Sequence, residues 1–274
     1  MLDLASRVTT RAERIDRAVS SMHERFAPML PGGEVQEVGH AVWAMSATPA
    51  LLDNGVIRYD ARGFGGPASE RDLDNCLAVL STYDVPWRFS AWEHLGAEVL
   101  VPRLIARGMI LDGTDYAMWL DLPGATSAST GWDGIQVRPT TDASEYRARA
   151  RVFTAASGTP SRYAEPIELM VAEPQWLGLV ARAGRRPVGC LTVAIEKDLA
   201  VVYNLVVLPW ARRHGVGRRL LLAAHEAAAA RGALACVVLA TPEGAGLCAR
   251  LGHRTATSVT YLLPPPPRAK RSTA

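Results

Sequence analysis

The stretch LPWARRHGVGRRLLLAAHEAAAARG, residues 208–232, is the most informative part of the chain. It places a proline, four closely spaced arginines and two glycines at the start of an alanine- and leucine-rich helix. Backbone N–H groups in a first helical turn have no intrahelical acceptor, and the helix dipole adds partial positive charge there. Gly215 and Gly217 leave room for a ligand to approach the backbone. The stretch therefore predicts a binding site for a diphosphate. The arginines are Arg212, Arg213, Arg218 and Arg219.

Two common phosphate motifs do not fit this spacing. No Gly-Lys-Ser/Thr follows, which excludes a Walker P-loop. In a dinucleotide fingerprint the third glycine would fall at Leu220, and no acidic residue follows at a suitable distance. An ordinary helix start with solvated arginines remains the alternative interpretation.

Bulk properties limit the function further. The 274 residues, 49% of them hydrophobic, suffice for one large domain or two small ones. A net charge of +3 without a long basic run does not indicate nucleic-acid binding. No stretch is apolar for long enough to predict a membrane span, and the charged N-terminal segment predicts no signal peptide. These features favour a cytoplasmic protein.

The cysteines predict no metal site. They form no CxxC pair, and no Cys/His spacing suits zinc. Most lie in apolar contexts and are interpreted as core residues in a reducing compartment. They are Cys76, Cys190, Cys236 and Cys248.

Apolar periodicity predicts alternating strands and helices in each half of the chain. The glycine-rich segment 123–134 is interpreted as a linker, and the proline- and charge-rich segment 265–274 as a disordered tail. The glycines of the loop at 60–69 are not expected to lead directly into the helix that follows it. The first half predicts helices at 11–28, 69–83 and 97–106 and strands at 35–45, 55–59, 86–92 and 109–122. The second half predicts helices at 143–153, 166–172, 216–231 and 243–251, and strands at 135–138, within 176–208, at 233–240 and at 254–263.

The pattern Arg212-x-x-Gly215-x-Gly217, which follows a strand ending at Leu208, resembles the acyl-CoA loop of GNAT superfamily N-acetyltransferases. The phrases YNLVVLPWARRHGVG and ATPEGAGLCARLGHR carry this resemblance over residues 135–263. It implies an α/β (α+β) fold of two tandem GNAT-like domains, each with a mixed, mostly antiparallel twisted sheet flanked by helices. Residues 1–124 would form a degenerate domain, and residues 133–264 the acetyltransferase domain.

The resemblance also implies acetyl-CoA as co-substrate. In that family the strand before the loop splays from its neighbour, and the pantetheine arm pairs with its backbone. A backbone N–H near Val206 or Val207 would polarise the thioester carbonyl. The residues implied in binding acetyl-CoA are Leu205, Val206, Val207, Arg212, Arg213, His214, Gly215, Val216, Gly217, Arg218 and Thr241.

Two departures from the family pattern concern catalysis. The family's glutamate base would fall near Val201, and its tyrosine acid is replaced by Cys248. Tyr203, Asn204 and Cys248 are therefore the catalytic candidates, with core packing as the alternative for each. His253, which replaces the family's phenylalanine, is interpreted as a surface or capping histidine. Glu196 and Asp198 are expected to be solvated turn charges.

The first half resembles the degenerate N-terminal halves of tandem GNAT proteins. It is predicted not to bind CoA and to wall the acceptor cleft instead. Several of its aromatic residues, together with one of the linker, are candidates for lining that cleft, with core packing as the alternative. They are Trp87, Trp92, His94, Trp119 and Trp132.

The predicted function is direct acyl transfer from acyl-CoA, as acetyl-CoA, to an amine of a small molecule or peptide. Without a strong base, a weakly basic amine is favoured, since an α-amine has a pKa of roughly 7.7–8.0 and a lysine roughly 10.4. The alternatives are a silent acyl-CoA-binding sensor or scaffold, and an N-terminal protein acetyltransferase. Acyl-CoA and the amine are the only partners expected, with neither nucleic acid nor membrane, and the protein is expected to be a monomer or homodimer.

Overall fold

The structure is a computed structural model that describes residues 9–48, 54–122, 134–157 and 176–265. In these residues, helices flank one sheet of eleven strands. The helices are α1 Arg11–Phe26, α2 Gly66–Leu80, α3 Ala97–Ala106, α4 Ala143–Ser157, α5 Val216–Ala230 and α6 Pro242–Arg250. The strands are β1 Glu34–Val38, β2 Ala41–Met45, β3 Gly55–Tyr59, β4 Arg88–Trp92, β5 Ile110–Asp121, β6 Ile135–Pro139, β7 Trp176–Ala183, β8 Arg186–Glu196, β9 Leu199–Val207, β10 Ala235–Ala240 and β11 Arg254–Leu263.

The strand order joins the two halves of the chain. It runs β1-β2-β3-β4-β11-β5-β10-β9-β8-β7-β6, and only the β3–β4 and β9–β10 pairs are parallel. The predicted mixed, mostly antiparallel α/β sheet is thus confirmed. Strand β11, from the second half, lies between β4 and β5, and β5, from the first half, lies between β11 and β10. We call this arrangement the strand exchange.

The two halves repeat the same local arrangement. In each, a parallel pair of strands is joined through a helix, β3–α2–β4 and β9–α5–β10. A β-bulge also recurs at the edge before each pair, between β2 and β3 and between β8 and β9. The division into domains 1–124 and 133–264 stays a prediction, because the strand exchange places the last strand of each half against the other half.

Helices cover both faces of the sheet. On one face, α5 and α6 pack on β9 and β10, where alanines let α5 approach the strands closely, and Leu220 and Leu221 are fully buried. On the opposite face, α1 lies across the centre of the sheet, with Ile15 and Val19 against Val237 of β10. The N-terminus of α1 is fixed by a capping box between Thr10 and Glu13.

Several local predictions are wrong. Residues 35–45 form a hairpin rather than one strand, because Gly39 adopts φ +59° in a turn between β1 and β2. The glycines of the first-half loop do lead directly into a helix, since α2 begins at Gly66, before the predicted cap Ser69. Ser69 bonds the backbone of Gly65 instead. The predicted helix at 166–172, the linker up to residue 133 and the tail beyond residue 265 lie outside the described residues.

The charges of the β8–β9 turn are not simply solvated, as predicted, but hold α1. Asp198 accepts two hydrogen bonds of 2.9 Å from Arg14, and Glu196 pairs with Arg25. The four cysteines are buried and unbridged, as expected of core residues. Where the chain is described, no helix has the length and apolarity to span a bilayer, and no three potential ligands cluster for a metal.

Candidate functional site

The parallel strands β9 and β10 separate toward their C-terminal ends. They pair only from Leu199–Ala235 to Val202–Val238. Strand β9 then continues to Val207 along β8, while β10 continues to Ala240 along β5. We call the resulting wedge the β9–β10 gap. The two strands leave their facing backbone N–H and C=O groups outside the ladder here, so an extended ligand can pair with them.

A β-bulge in β9 opens this gap. Asn204 and Leu205 together oppose the single residue Leu191 of β8. Asn204 adopts φ +53°, a left-handed conformation that asparagine tolerates better than most residues. Because a bulge bends its strand and increases its twist, the predicted pairing residues Leu205, Val206 and Val207 turn away from β10.

The loop after β9 leads into the N-terminus of α5. Arg213 and Gly215 both have left-handed backbones, with φ +66° and +78°, and Gly215 is the N-cap. The first bond of α5 runs from the N–H of Arg219 to the carbonyl of Gly215, at 3.0 Å. The N–H groups of Val216, Gly217 and Arg218 precede that bond and have no intrahelical acceptor. The predicted diphosphate cradle is therefore formed by this loop and helix start.

The arginines of the stretch do not all serve the helix start. Arg212, Arg213 and Arg218 are exposed around it, and Arg212 also donates from Nε to the carbonyl of Val207 at 3.2 Å. Arg219 instead donates to the carbonyl of Ile135 on β6, at 2.9 Å. Three cationic side chains thus surround the exposed amides, and the fourth fastens α5 to the edge of the sheet.

Gly217 lies where the end of β9, α5 and α6 converge. A Cβ at this position would come within 3.1 Å of Leu247 on α6 and 3.9 Å of Val207. Thr241 caps α6 by accepting a hydrogen bond of 3.2 Å from the N–H of Gly244, and it directly follows β10 at the other side of the gap. The ring of exposed His214 donates to the carbonyl of Arg212 at 2.7 Å.

The three catalytic candidates do not converge. Tyr203 lies on the α1 face against Trp176, with ring centroids 6.4 Å apart, whereas Cys248 belongs to the core under α5 and α6 on the opposite face. The Tyr203 hydroxyl is buried and has no hydrogen-bond partner among the described residues, and burial raises its pKa. Burial also raises the pKa of the Cys248 thiol, to about 11. Asn204 occupies the bulge.

His253 is not the surface residue that was predicted. It is buried, and its Nε2 lies 3.0 Å from Nε2 of His225 on α5. Burial lowers the pKa of both rings, that of His225 to about 4. Both rings are therefore neutral near pH 7, and one donates to the other.

A small cavity of about 40 Å³ lies beside the gap, between α1 and the strands of the first half. We call it the α1 cavity. Leu239, on the part of β10 beyond its pairing with β9, lines it, so the cavity extends to the gap. Its wall also includes His23, Arg88, Ser90, Trp92 and Tyr261.

Charged and polar groups are concentrated on one side of this cavity. The Arg88 guanidinium lies 3.8 Å from the centroid of the Tyr261 ring. Asp115 on β5 hydrogen-bonds the Tyr261 hydroxyl, and burial raises the pKa of Asp115 while the positive charge of Arg88 opposes that rise. His23 donates from Nδ1 to the carbonyl of Val19 at 2.8 Å. Burial lowers the pKa of His23 to about 4, so its ring is neutral.

The predicted aromatic lining is only partly brought together. Trp92 lines the α1 cavity, whereas Trp119 lies under Arg11 and Arg14 of α1, and Trp87 packs toward α2 and α3. His94 bonds Asp16 and Thr257, at 3.0 and 3.1 Å. Trp132 lies outside the described residues.

Sequence reasoning missed three groups of this site, Arg88, Asp115 and Tyr261. They lie on β4, β5 and β11, and they become neighbours only through the strand exchange. No spacing along the chain indicates that meeting.

Comparison with known proteins agrees with the geometry. Residues 174–255 match the family model of the acetyltransferase (GNAT) domain. This stretch runs from β7 to the start of β11 and contains the β9–β10 gap, the loop and α5. A search of curated proteins finds no match for the chain.

Solved structures match nearly the whole chain. A GCN5-related N-acetyltransferase from Kribbella flavida superposes with a TM-score of 0.72 at 18% identity, covering 94% of this chain and 97% of that one. A tandem GNAT protein from the clavulanic acid biosynthesis pathway gives 0.63 at 16% identity, covering 90% and 87%. A GCN5-related N-acetyltransferase from Sphaerobacter thermophilus gives 0.64 at 14% identity, covering 94% and 93%. At these identities the likeness establishes the fold.

Proposed function

We propose that the chain is an acyl-CoA-dependent N-acyltransferase, because it carries a GNAT acetyltransferase domain within a tandem GNAT fold. Acetyl-CoA is the co-substrate, and the acceptor is an amine of a small molecule or peptide. One observation carries the proposal: the β9–β10 gap leads directly to a helix start whose first-turn amides have no intrahelical acceptor and beside which three arginines are exposed.

The residues of the loop fit the diphosphate of CoA. The first-turn N–H groups of α5 and the guanidinium groups of Arg212, Arg213 and Arg218 supply donors and positive charge at one place. The left-handed backbone at Gly215 and the missing side chain at Gly217 keep the approach clear. The bulged edge Leu205–Val207 supplies backbone partners for the pantetheine arm.

Bound in this way, acetyl-CoA supplies an activated acyl thioester. The backbone N–H of Val207, which points away from β8, donates to its carbonyl, and one such donor is worth about 3–4 kcal/mol in a transition state. The acceptor nitrogen forms the new C–N bond as the C–S bond breaks. Positioning contributes more than acid–base catalysis, up to about 7–11 kcal/mol.

Asp115 receives the proton that the amine loses. Leu239 pairs with Ala117, so Asp115 lies two residues along β5 on the same face, a diagonal neighbour within about 7–8 Å. Burial raises the pKa of this carboxyl, which makes it a better base than an ordinary aspartate. The carboxylate comes from the first half and replaces the glutamate that β9 lacks at Val201.

Cys248 and Tyr203 remain the candidates for protonating the departing thiolate. The Tyr203 hydroxyl has no partner among the described residues and faces the same side of the sheet as Asp115. Since a CoA thiolate leaves readily without a proton, neither residue is essential to the proposal.

Isothermal calorimetry tests the cofactor part of the proposal. Acetyl-CoA should bind, and acetyl-pantetheine, which lacks the diphosphate, should bind far more weakly. Equal affinity for the two ligands, or no heat with acetyl-CoA, would contradict the assignment of the helix start.

A thiol-release screen tests the reaction. Acetyl-, propionyl- and malonyl-CoA are combined with α-amines, amino sugars and lysine side-chain amines near pH 7. We expect turnover with an α-amine or amino sugar and little with lysine, and comparable turnover of lysine would contradict the preference. Binding without thiol release for any amine would instead favour the silent acyl-CoA sensor, which the replacements at Val201 and Cys248 support. Labelling of intact proteins by acetyl-CoA would identify an N-terminal acetyltransferase.

A further inference from the structure

An arginine, Arg88, lines the α1 cavity. Arg88 is half-buried, yet it forms no salt bridge within the described residues. Two other partly buried arginines do: Arg58 pairs with Asp16, and Arg182 pairs with Glu145. The guanidinium of Arg88 instead lies over the ring of Tyr261, 3.8 Å from its centroid, and this cation–π contact fixes its position. A fixed, partly desolvated guanidinium at a cavity wall suits an anionic ligand.

His23, also on the cavity wall, offers a hydrogen-bond acceptor. Because Nδ1 of His23 donates to a carbonyl, it carries the proton, and Nε2 of the neutral ring is a lone-pair acceptor. Nε2 lies on the far side of the ring from the α1 backbone, and the ring lines the cavity. Arg88 helps to keep this ring neutral, since its positive charge lowers the pKa of His23. The cavity thus combines one cation with one neutral acceptor, the groups that suit a carboxylate and an amine.

The surroundings favour a carboxylate over a larger anion. Asp115 lies close enough to Arg88 for their charges to interact. A phosphate, with nearly two negative charges, would be repelled by Asp115 and would meet only one guanidinium. A ligand that carries one carboxylate and one amine balances both Arg88 and Asp115.

We propose that the α1 cavity is the acceptor pocket and that the acceptor is an amino acid or a similar amine bearing a carboxylate, which Arg88 binds. This inference rests on the proposed acyltransferase function. Arg88 orients the carboxylate, and His23 accepts a hydrogen bond from the amine. The nitrogen then forms a bond to the acyl carbon, the C–S bond breaks, and the amine proton passes to Asp115 and on to solvent.

Matched acceptors test the inference. Thiol release from acetyl-CoA is measured with an α-amino acid, its carboxamide and its decarboxylated amine, over a panel of side chains. For at least one side chain, kcat/KM should be about 10- to 100-fold higher for the acid than for the two neutral analogues, the range of a charge-assisted hydrogen bond. In Arg88→Gln this ratio should fall toward one, and Arg88→Lys should restore part of it, because lysine keeps the charge but not the fork.

Arg71→Gln is the matched control. Arg71 is an exposed arginine of α2, on the other face of the sheet, and its loss should leave the ratio unchanged. Circular dichroism establishes that each variant is folded. Wild-type protein that prefers the neutral analogues, or an Arg88→Gln variant that keeps the ratio, would overturn the inference.

Binding measurements separate this inference from the proposed function. Calorimetry with acetyl-CoA should give the same affinity for wild type and Arg88→Gln, because Arg88 lies away from α5. If no acceptor releases thiol, the acyltransferase proposal fails. Amino acid binding in the presence of CoA then tests the α1 cavity independently of catalysis. Binding that Arg88→Gln abolishes supports a carboxylate site, and no binding overturns it.

Discussion

The β9–β10 gap and its counterpart between β3 and β4 share the same design, but only the first leaves its backbone available. Both parallel pairs separate after a few residues, both follow a β-bulge, and both connect through a helix. Between β3 and β4, however, the indole N–H of Trp92 donates to the carbonyl of Ile57 at 2.9 Å, and Trp92 is buried. We infer that Trp92 fills the place that the β9–β10 gap reserves for a ligand.

The helix starts differ in the same way. At α2, Pro67 removes one N–H, and Ser69 accepts a hydrogen bond from the N–H of Gly65 at 3.2 Å. The one arginine of that loop, Arg62, is neutralised by Asp60. At α5 the first-turn amides have no intrahelical acceptor, and three arginines are exposed. The fold alone therefore does not create a cofactor site, because side chains of the same chain can occupy the groups that the ligand needs.

The largest expected effect concerns Trp92. Trp92→Ala should lower the free energy of unfolding by about 3–5 kcal/mol, since a buried aromatic ring and its hydrogen bond are both lost. Urea denaturation measures this change. Trp210→Ala, at a tryptophan that is 60% exposed, should cost far less. A small loss for Trp92→Ala would contradict the view that its ring fills the β3–β4 gap.

The second-largest effect is expected for Asp115→Asn. The kcat/KM of the variant should fall about 10²-fold. This is the lower end of the range for a general base, because an α-amine is already partly deprotonated near pH 7. Since the base acts when deprotonated, wild-type activity should fall as pH drops through the pKa of Asp115, which is raised by burial and the nearby Asp112 and opposed by Arg88. Tyr261 also faces this carboxyl. A pH–rate profile that keeps this acidic limb in Asp115→Asn would exclude Asp115 as the base.

The same substitution, glycine to glutamate, at the helix starts of α5 and α2 compares the anion-binding capacity of the two positions. Gly217→Glu places a carboxylate beside the proposed diphosphate site, and it should weaken acetyl-CoA binding by about 30-fold or more, as a like-charge contact of about 2 kcal/mol implies. Gly65→Glu is the control, because a Cβ there meets no atom within 4 Å. Calorimetry should show normal affinity for Gly65→Glu. Equal losses in both variants would remove the distinction between the two halves.

The smallest expected effect is a loss of stability at acidic pH. The helices α5 and α6 pack around His225 and His253, whereas α2 and α3 contain no histidine. The pKa of His225 falls from 6.5 to about 4 in the folded protein, so the unfolded chain binds more protons between these values. Stability should therefore be complete above about pH 6.5 and decrease as pH falls toward 4.

Denaturation at pH 7 and pH 5 measures this dependence. His225→Gln should reduce the difference in unfolding free energy between the two pH values, on the order of 1 kcal/mol. His40→Gln, at an exposed histidine of the first half, should leave it unchanged. A pH dependence that survives in His225→Gln would assign it to other groups, His23 among them.

Local features of the site could be predicted from the sequence, and non-local ones could not. The loop and α5 lie within residues 208–232, where glycines, arginines and helix periodicity are read directly. Apolar alternation also predicts the positions of most strands, whereas the mixed sheet was predicted from the resemblance to the GNAT family. The wall of the α1 cavity includes Arg88, Leu239 and Tyr261, which are far apart in the chain and are brought together by the strand exchange. Trp92 illustrates the limit, since its sequence context predicts a ring that lines a cleft but not the hydrogen bond by which the same ring fills the β3–β4 gap.

The strand exchange has a consequence for biosynthesis. When the ribosome has made the first half, β4 and β5 have no strand between them, and only the last described strand, β11, fills that slot. The central sheet therefore cannot close until translation of that strand is complete, and its late, long-range pairing slows folding. A fragment that stops before β11 would expose two unpaired strand edges and should aggregate. The two halves are thus obliged to mature together, although their repeated design suits independent units.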